Sequence, residues 1–164
     1  MARKKKQTKN LAMRVLEGQD VPYEILEFPD TIHDAGEVAG HLGLPSDTVY
    51  KTLVVEADQP GIKPMLIMVA ANRSLDLKKV ASAVGVKKVH MARHADAERM
   101  TGLKVGGISA LAILNRGFDI YIDEQATALE VVAVSAGQRG INLRVPVEDL
   151  IRVTGAQVIN SSTE

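Results

Sequence analysis

The chain has 164 residues, no cysteine, and 20 basic side chains against 20 acidic ones. The lack of cysteine excludes a disulfide scaffold, a thiolate metal site and a cysteine nucleophile. No apolar run reaches the roughly 18 residues of a membrane span, and no hydrophobic segment follows the basic N-terminus, so we expect no secretory signal. We therefore expect a cytoplasmic protein with an aliphatic core in one domain.

Charge is unevenly distributed along the chain. The first ten residues contain five basic side chains and no acidic one: Arg3, Lys4, Lys5, Lys6 and Lys9. The remaining residues contain 15 basic and 20 acidic side chains, a net charge of −5. Two interpretations of the basic segment stay open: a flexible arm that contacts nucleic-acid phosphates, or a solubilising tail.

Capping residues, turn residues and the periodicity of apolar side chains predict the helices and strands of the N-terminal half. A helix capped by Thr8 or Asn10 runs to Glu17. Two strands joined by turn residues form a hairpin, which we place at the centre of a sheet. The predicted elements are helix 10–17, strand 21–28 with Val21, Tyr23, Ile25 and Leu26 inward, helix 35–42, and hairpin strands 48–56 and 64–71.

The second half continues with helix 77–84 capped by Asp76. Strands and helices alternate irregularly and the hairpin needs antiparallel pairing, which favours an α+β fold with a mixed sheet and helices outside it. We assign one domain to 10–158, between a basic flexible arm at 1–9 and a polar tail at 159–164. The further elements are strand 86–91, helix 94–100, strands 118–122, 130–135 and 141–145, helix 147–153 and a frayed segment at 161–164.

Lys51 lies in an otherwise apolar predicted strand. Alternation places it on the same face as Val49, Leu53 and Val55. A buried ammonium needs a partner, and a ligand phosphate or carboxylate would provide one. An edge lysine whose alkyl chain covers apolar surface while its amine reaches water fits the same pattern. The residues alone leave both interpretations open.

Two glycine-containing segments are candidates for the border of a ligand site. Adjacent Gly106 and Gly107 would let the backbone approach a ligand and direct amide hydrogens at an oxyanion or carboxylate. A plain turn is the other interpretation. In 134–140, Ser135 and nearby amides would line a pocket or form a hairpin loop. Ser135 lacks recognisable His and Asp partners, which disfavours a serine hydrolase.

Histidine spacing and missing motifs argue against several other kinds of site. His90 and His94 are four residues apart, but the His-Glu-x-x-His signature is absent and a strand–helix break is expected between them. We interpret His33 and His41 as surface or helix-capping residues, with His33 near a pocket mouth. The glycine motifs of nucleotide-triphosphate and dinucleotide enzymes are missing. We expect neither a metal nor a cofactor.

Four segments in order resemble the YbaK/EbsC family of aminoacyl-tRNA deacylases, which is related to the editing domain of bacterial prolyl-tRNA synthetases. Any one segment is weak evidence, whereas four in matching order and spacing are specific, and the similarity covers roughly residues 10–155. The segments are Tyr50-Lys51-Thr52-Leu53, Leu-Asp-Leu-Lys-Lys-Val-Ala at 75–81, Thr-Gly with Val-Gly-Gly-Ile-Ser within 101–109, and Val-Ser-x-Gly-x-Arg-Gly at 134–140.

The resemblance implies hydrolysis of mischarged tRNA, above all of cysteine attached to tRNA for proline, and we expect a curled, barrel-like mixed sheet. It implies that Lys51 meets the phosphate of the terminal nucleotide and that Gly106 and Gly107 lie against the ester carbonyl. The substrate's own thiol would attack that carbonyl and leave a cyclic thiolactone and free tRNA. The implied substrate-binding residues are Phe28, His33, Tyr50, Thr52, Ile108, Ser109, Ser135, Gly137, Arg139 and Asn142.

Two departures from the family pattern bear on amino-acid specificity. Ala110 stands where the pattern Gly-x-x-x-Pro has proline, so the backbone dihedral is less fixed, and the loop 28–36 is shorter than in the cysteine-specific pattern. Two alternatives therefore stay open: a water-using deacylase for alanyl or another small aminoacyl-tRNA, and a non-catalytic module that binds tRNA or a synthetase. The expected partners are the 3′ end of aminoacyl-tRNA and prolyl-tRNA synthetase, with no membrane association.

Overall fold

The computed structural model describes residues 9–164, in which every α-helix is eight residues long. Side-chain caps explain where three of them begin, because Asn10, Asp34 and Asp76 each accept a hydrogen bond from a backbone N–H of the first turn. Within this range no helix has the length and apolar character to cross a membrane. The helices are α1 (Leu11–Gly18), α2 (Ala35–Leu42), α3 (Leu77–Val84), α4 (His94–Thr101) and α5 (Val147–Thr154).

The strands of residues 9–164 are β1 (Glu24–Glu27), β2 (Tyr50–Ala57), β3 (Met65–Ala70), β4 (Ser74–Leu75), β5 (Val89–Met91), β6 (Asp119–Asp123), β7 (Val131–Ser135), β8 (Ile141–Pro146), β9 (Gln157–Ile159) and β10 (Ser162–Thr163). Five of them form a mixed sheet in the order β5-β2-β3-β6-β9, in which β3, β6 and β9 are parallel. An antiparallel sheet β1-β8-β7 is connected to it by one bridge between Val49 and Ala133, and β4 pairs with β10.

The apolar character of β3 reflects burial on both faces. Leu66 and Met68 point into the main core, together with side chains of β7, β8 and α5. The alternate residues Met65 and Ile67 pack against Val80 of α3 on the other side. A strand covered on both faces has no solvent face, so its sequence is continuously apolar and does not alternate. The β2–β3 pair therefore lies at the centre of the sheet.

The predicted α+β class, the mixed sheet and the central hairpin are confirmed. The strands divide into separate sheets joined by one bridge, and this pairing does not form a closed barrel. Two predicted strands are too long, because their first residues complete a preceding helix. The N–H of Val21 donates to the Leu16 carbonyl and that of Val86 to the Ala81 carbonyl. Ile25, predicted to point inward, is exposed.

The C-terminal residues were wrongly predicted to be a frayed polar tail. Residues 157–159 form β9, and Ser161 and Ser162 are almost completely buried. The carboxylate of Asp123 accepts hydrogen bonds from both serine hydroxyls, at 2.7 and 2.9 Å. Burial of polar side chains leaves no apolar pattern in the sequence, so the segment looks solvent-exposed.

The basic arm predicted for residues 1–9 lies outside the described residues except for its last member. Lys9 forms an ion pair with Glu17, with 2.8 Å between the amine and a carboxylate oxygen. Asn10 follows as the cap of α1 and donates a 3.5 Å hydrogen bond to the side chain of Gln138. The start of the described chain is thus anchored next to the β7–β8 loop.

Candidate active site

A cavity of about 470 Å³ lies beside β2, bordered by the segment before α2, the start of α4, the glycine-rich loop after α4, and the adjacent ends of β7 and β8. This volume is in the usual range for a small-molecule site. The lining is largely aliphatic, and its titratable side chains are His33, Asp34, Tyr50, Lys51 and His94. A small polar or charged group would therefore meet only a few defined partners there.

Lys51 reaches this cavity from β2 and is half-buried. Its Nζ donates a 2.9 Å hydrogen bond to the backbone carbonyl of Arg73. Burial lowers the pKa of Lys51, and the negative charge of Asp34 acts in the opposite direction. None of the salt bridges within residues 9–164 includes Lys51. Its charge is held by a neutral acceptor, which leaves it available to an anionic group of a ligand.

The glycine-rich loop is held through both backbone groups of Val105. Its N–H donates to the carboxylate of Glu98 in α4 at 2.8 Å, and its carbonyl accepts from Nε of Arg139 at 2.8 Å. The Val105 bond, together with the positive charges of Lys104 and Arg139, holds the pKa of Glu98 below its usual range. The loop position therefore depends on two charged side chains from separate elements.

Gly106 follows this tether at the cavity wall and requires glycine for two reasons. Its φ of +90° lies in the left-handed region, and a Cβ at this position would lie 3.0 Å from the Cβ of His33. Among the described residues, the N–H groups of Gly106 and Ile108 have no hydrogen-bond acceptor. Two backbone donors beside a cavity can stabilise a carbonyl oxygen that gains negative charge.

Thr52, Ser135 and Asn142 add polar groups to the lining of the same cavity. The hydroxyl of Ser135 accepts from the N–H of Gly137 at 3.2 Å, and Asn142 lies opposite Ser135 in the β7–β8 ladder. The structure shows no hydrogen bond from another described residue to the side chains of Thr52 or Asn142. The polar atoms of these two side chains are not fully enclosed either, so they are open to the cavity and able to contact a ligand.

Tyr50 precedes the lysine and lies deeper. It is buried in the main core, and its hydroxyl has no partner among the described residues. Burial, with a smaller contribution from the charge of Asp123, raises the pKa of Tyr50 to about 12. The phenol therefore stays protonated at neutral pH and is able only to donate or accept a hydrogen bond.

A second, more open cavity of about 750 Å³ adjoins the first, and His33 lines both. Lys104 and Arg139 bring two positive charges to it. Gln138, to which the cap of α1 is hydrogen-bonded, also lies in its lining. The first cavity thus has a largely aliphatic lining, and the second has the charged side chains Asp30, Lys104 and Arg139.

The structure brings most of the predicted site residues together. Gly137 and Arg139 line the second cavity, whereas Phe28, Gly107 and Ser109 line neither. Those in the first cavity are His33, Tyr50, Lys51, Thr52, Gly106, Ile108, Ser135 and Asn142.

Two of the three predicted residues outside the cavities have evident packing roles, and the third is buried. Phe28 packs with Val38 and Val49 in a separate part of the core. A Cβ on Gly107 would lie 2.9 Å from the backbone N of Arg139, so this glycine permits close contact between two loops. Ser109 is buried, and its hydroxyl has no partner in the described part of the chain. Their assigned roles in binding or catalysis stay predictions.

Three residues near the site were missed: Asp34, Arg73 and Glu98. Asp34 carries a local signal, since it is the N-cap of α2 and precedes a helical pattern. Arg73 and Glu98 act through single contacts, to Lys51 22 residues away and to Val105 seven residues away. No periodicity or motif marks such contacts.

The expected break between His90 and His94 is confirmed, because the first lies in β5 and the second begins α4. His90 is hydrogen-bonded to Asp58 and Glu56 on the surface, and the Asp58 bond is the main cause that raises the pKa of His90. Over residues 9–164, no group of three or more His, Cys, Asp or Glu side chains is arranged to hold a metal ion.

Comparisons with known proteins identify the relatives of this chain. A family model described as an aminoacyl-tRNA editing domain matches residues 30–153. A protein of Enterococcus faecalis, EbsC, named as a candidate Cys-tRNA(Pro)/Cys-tRNA(Cys) deacylase, is 36% identical, and the alignment covers 100% of this chain and 99% of that protein. A proline–tRNA ligase of Limosilactobacillus fermentum is 26% identical over 66% of this chain, which corresponds to 19% of the ligase.

The fold is also shared with a solved structure, a candidate trans-editing enzyme for prolyl-tRNA synthetase. The TM-score is 0.78 at 24% sequence identity, with 96% of this chain and 100% of that chain covered. The chain belongs to the aminoacyl-tRNA editing domain family. The resemblance to the YbaK/EbsC family, predicted from four short segments, is thereby confirmed.

Proposed function

We propose that this protein is a trans-acting aminoacyl-tRNA deacylase of the cytoplasm, and that its substrate is Cys-tRNA(Pro). The observation that carries the proposal is the first cavity, whose lining includes a half-buried lysine without a carboxylate partner. The lining also includes Gly106 and Ile108, whose backbone N–H groups have no acceptor among the described residues. A phosphate and an ester carbonyl are two of the polar groups that the end of an aminoacyl-tRNA presents. The name of the Enterococcus relative supports the same substrate.

In this mechanism the amine of Lys51 binds the phosphate of the terminal nucleotide. The carbonyl oxygen of the ester accepts from the N–H groups of Gly106 and Ile108. The thiol sulfur of the bound cysteine attacks the carbonyl carbon and releases its proton, the carbon–oxygen bond to the ribose breaks, and the ribose oxygen takes up that proton. The products are a thiolactone and free tRNA. The protein contributes orientation and electrostatic stabilisation of the oxyanion, and the nucleophile comes from the substrate.

The test is a deacylation assay with the purified chain. Cys-tRNA(Pro), Ala-tRNA(Pro) and a seryl ester are incubated with the protein, and loss of the ester is followed over time. We expect rapid loss of the cysteinyl ester only. Loss no faster than in buffer for all three esters would refute a catalytic role.

The role of Lys51 is tested in the same assay with Lys51→Met, which removes the charge but keeps the length of the side chain. Loss of a charge-assisted contact to phosphate should lower kcat/KM by about tenfold to a hundredfold. The matched control is Lys63→Met, since Lys63 is exposed in the β2–β3 turn. Equal activities of the two variants would contradict the phosphate role.

A second candidate is a water-dependent deacylase for alanyl or another small aminoacyl ester, motivated by Ala110 in place of the family proline. Activity that is equal on seryl and cysteinyl esters would favour it, because serine lacks a thiol. Salt-sensitive tRNA binding without turnover would instead indicate a non-catalytic module. Prolyl-tRNA synthetase is the proposed delivery partner, and co-purification with the synthetase in the presence of tRNA(Pro) would test it.

A further inference from the structure

The last strand of the described chain is tied to the interior by a dense set of polar contacts. Ser162 donates its hydroxyl to the buried carboxylate of Asp123 at 2.9 Å. The same hydroxyl oxygen accepts from Nε of Arg73 at 2.6 Å, and the backbone carbonyl of Ser162 accepts from Nη2 of Arg73 at 3.3 Å and from Nζ of Lys79 at 3.0 Å. Ser162 therefore holds the edge of the Arg73 guanidinium that Nε and Nη2 form.

Arg73 is also fixed through its neighbours in the chain. It lies directly before β4, and β4 pairs with β10 through Ser74 and Thr163 and through Leu75 and Ser162. The N–H of Arg73 donates to the Ala70 carbonyl at 3.1 Å. The backbone carbonyl of Arg73 is thus held by a turn on one side and by the C-terminal strand on the other.

That carbonyl is the acceptor of the Lys51 amine in the first cavity, at 2.9 Å. A lysine side chain loses rotamer entropy when it is held in one position. A fixed acceptor reduces the loss that accompanies ligand binding. A carbonyl does this without neutralising the ammonium, whereas a carboxylate would compete with a ligand phosphate for the same charge.

We infer that β10 is a positioning element of the active site, in which Ser162 holds Arg73 and the Arg73 carbonyl holds Lys51 at the cavity. The inference rests on the proposed function only where it assigns a substrate phosphate to Lys51. The contact between Ser162, Arg73 and Lys51 can be tested without a substrate. Ser162 and Arg73 are positioning residues, since neither lines the first cavity.

The test compares Ser162→Ala with the matched control Thr163→Ala. Thr163 is the exposed neighbour in β10, and its side chain makes no hydrogen bond to the rest of the described chain. Loss of one hydrogen bond of ordinary strength should lower kcat/KM of the first variant about three- to tenfold, and the control should match the wild type. In the Lys51→Met background, Ser162→Ala should have no further effect, because two residues that act through one contact are not additive.

A spectroscopic readout makes the outcome independent of turnover. In protein with isotope-labelled lysine, the side-chain resonances of Lys51 are identified by their loss in Lys51→Met. In Ser162→Ala they should move towards those of the exposed Lys63, and in Thr163→Ala they should stay in place. Unchanged Lys51 resonances, or an equal loss of activity with and without Lys51, would overturn the inference.

If the proposed deacylase function is wrong but the positioning inference is right, the results differ from those above. The wild type then hydrolyses no ester, while the Lys51 resonances still shift in Ser162→Ala. If thermal unfolding shows that Ser162→Ala does not fold, Arg73→Lys replaces it. This variant keeps the positive charge but loses the two nitrogen donors that hold Ser162. It should produce the same displacement of the Lys51 resonances, and their constancy would equally overturn the inference.

Discussion

Replacing Asp123 by asparagine should destabilise the fold strongly, although the two side chains have nearly the same shape. The carboxylate is buried and accepts hydrogen bonds from the N–H and hydroxyl of Ser161, the hydroxyl of Ser162 and the N–H of Gln125, at 3.1, 2.7, 2.9 and 3.3 Å. Each carboxylate oxygen thus receives two donors. An amide has a single acceptor oxygen, so its NH₂ group would face two of these donors.

The magnitude follows from the bonds that are lost. A hydrogen bond to a charged acceptor contributes about 1.5–3 kcal/mol. Two such bonds are lost in Asp123→Asn, but the Ser162 hydroxyl can rotate and accept from the new amide, so we expect the lower end, about 3 kcal/mol. Because 1 kcal/mol changes the Tm of a domain of this size by about 2–4 °C, the Tm should fall by about 6–12 °C.

Urea titration and thermal unfolding at neutral pH measure both quantities. Asp119→Asn is the matched control, because Asp119 is exposed on the same strand and its side chain accepts no hydrogen bond in the described structure. The control should unfold like the wild type. A loss in Asp123→Asn below about 1 kcal/mol, the contribution of one ordinary hydrogen bond, would refute the view that this carboxylate holds the C-terminal segment.

Three further substitutions test other contacts. Gly107→Ala would place a Cβ 2.9 Å from loop backbone, so it should cost about 1–3 kcal/mol in urea titration, whereas Gly40→Ala, in open space on a helix, should not destabilise. Glu98→Ala removes the acceptor of the Val105 N–H. In the wild type this hydrogen bond lowers the pKa of Glu98. The bond is therefore complete at a pH above the pKa that Glu98 has in the unfolded chain, and it is lost as the pH falls through the pKa of Glu98 in the folded protein. The Val105 amide resonance should therefore shift on acidification in the wild type but not in the variant. The pKa of His90 is raised in the folded protein. Protonated His90 therefore stabilises the fold below the pKa of about 6.5 that it has in the unfolded chain, and this stabilisation is lost as the pH rises through the pKa of His90 in the folded protein. His90→Ala should destabilise more at a pH of about 5.5 than at about 9, and the opposite order would contradict the assignment.

The elements that could be predicted from the sequence are those that depend on hydrogen bonds between residues close together in the chain. The helix starts at Asn10, Asp34 and Asp76 each depend on a bond within three residues, so the capping residue and the apolar pattern stand next to each other. The central hairpin depends on adjacent strands and a short turn. Its lysine is conspicuous in the sequence because one charge interrupts an apolar run.

The parts that escaped prediction depend on partners far apart in the chain. Ser161 and Ser162 are buried by Asp123, 38 and 39 residues away. The carbonyl that holds Lys51 belongs to a residue 22 positions later. Polar residues that are buried against polar partners do not contribute to a periodic pattern of apolar side chains. A prediction from that pattern therefore places them on the surface. The family resemblance located the cavity, but it contained none of these supporting contacts.

Some residues line the cavity and others only support the residues that line it. Ala110, the position at which this chain departs from the family pattern, is not a lining residue. Ala110 is buried in the main core and does not line either cavity. A change from proline to alanine at this position therefore does not alter a surface that the aminoacyl group of the substrate would touch. It acts only through the backbone between Gly106 and Ala110, which is already fixed upstream by the two bonds of Val105. We therefore expect the choice of amino acid to depend on side chains of the cavity wall, such as Val38, Val49 and Ile108, more than on Ala110.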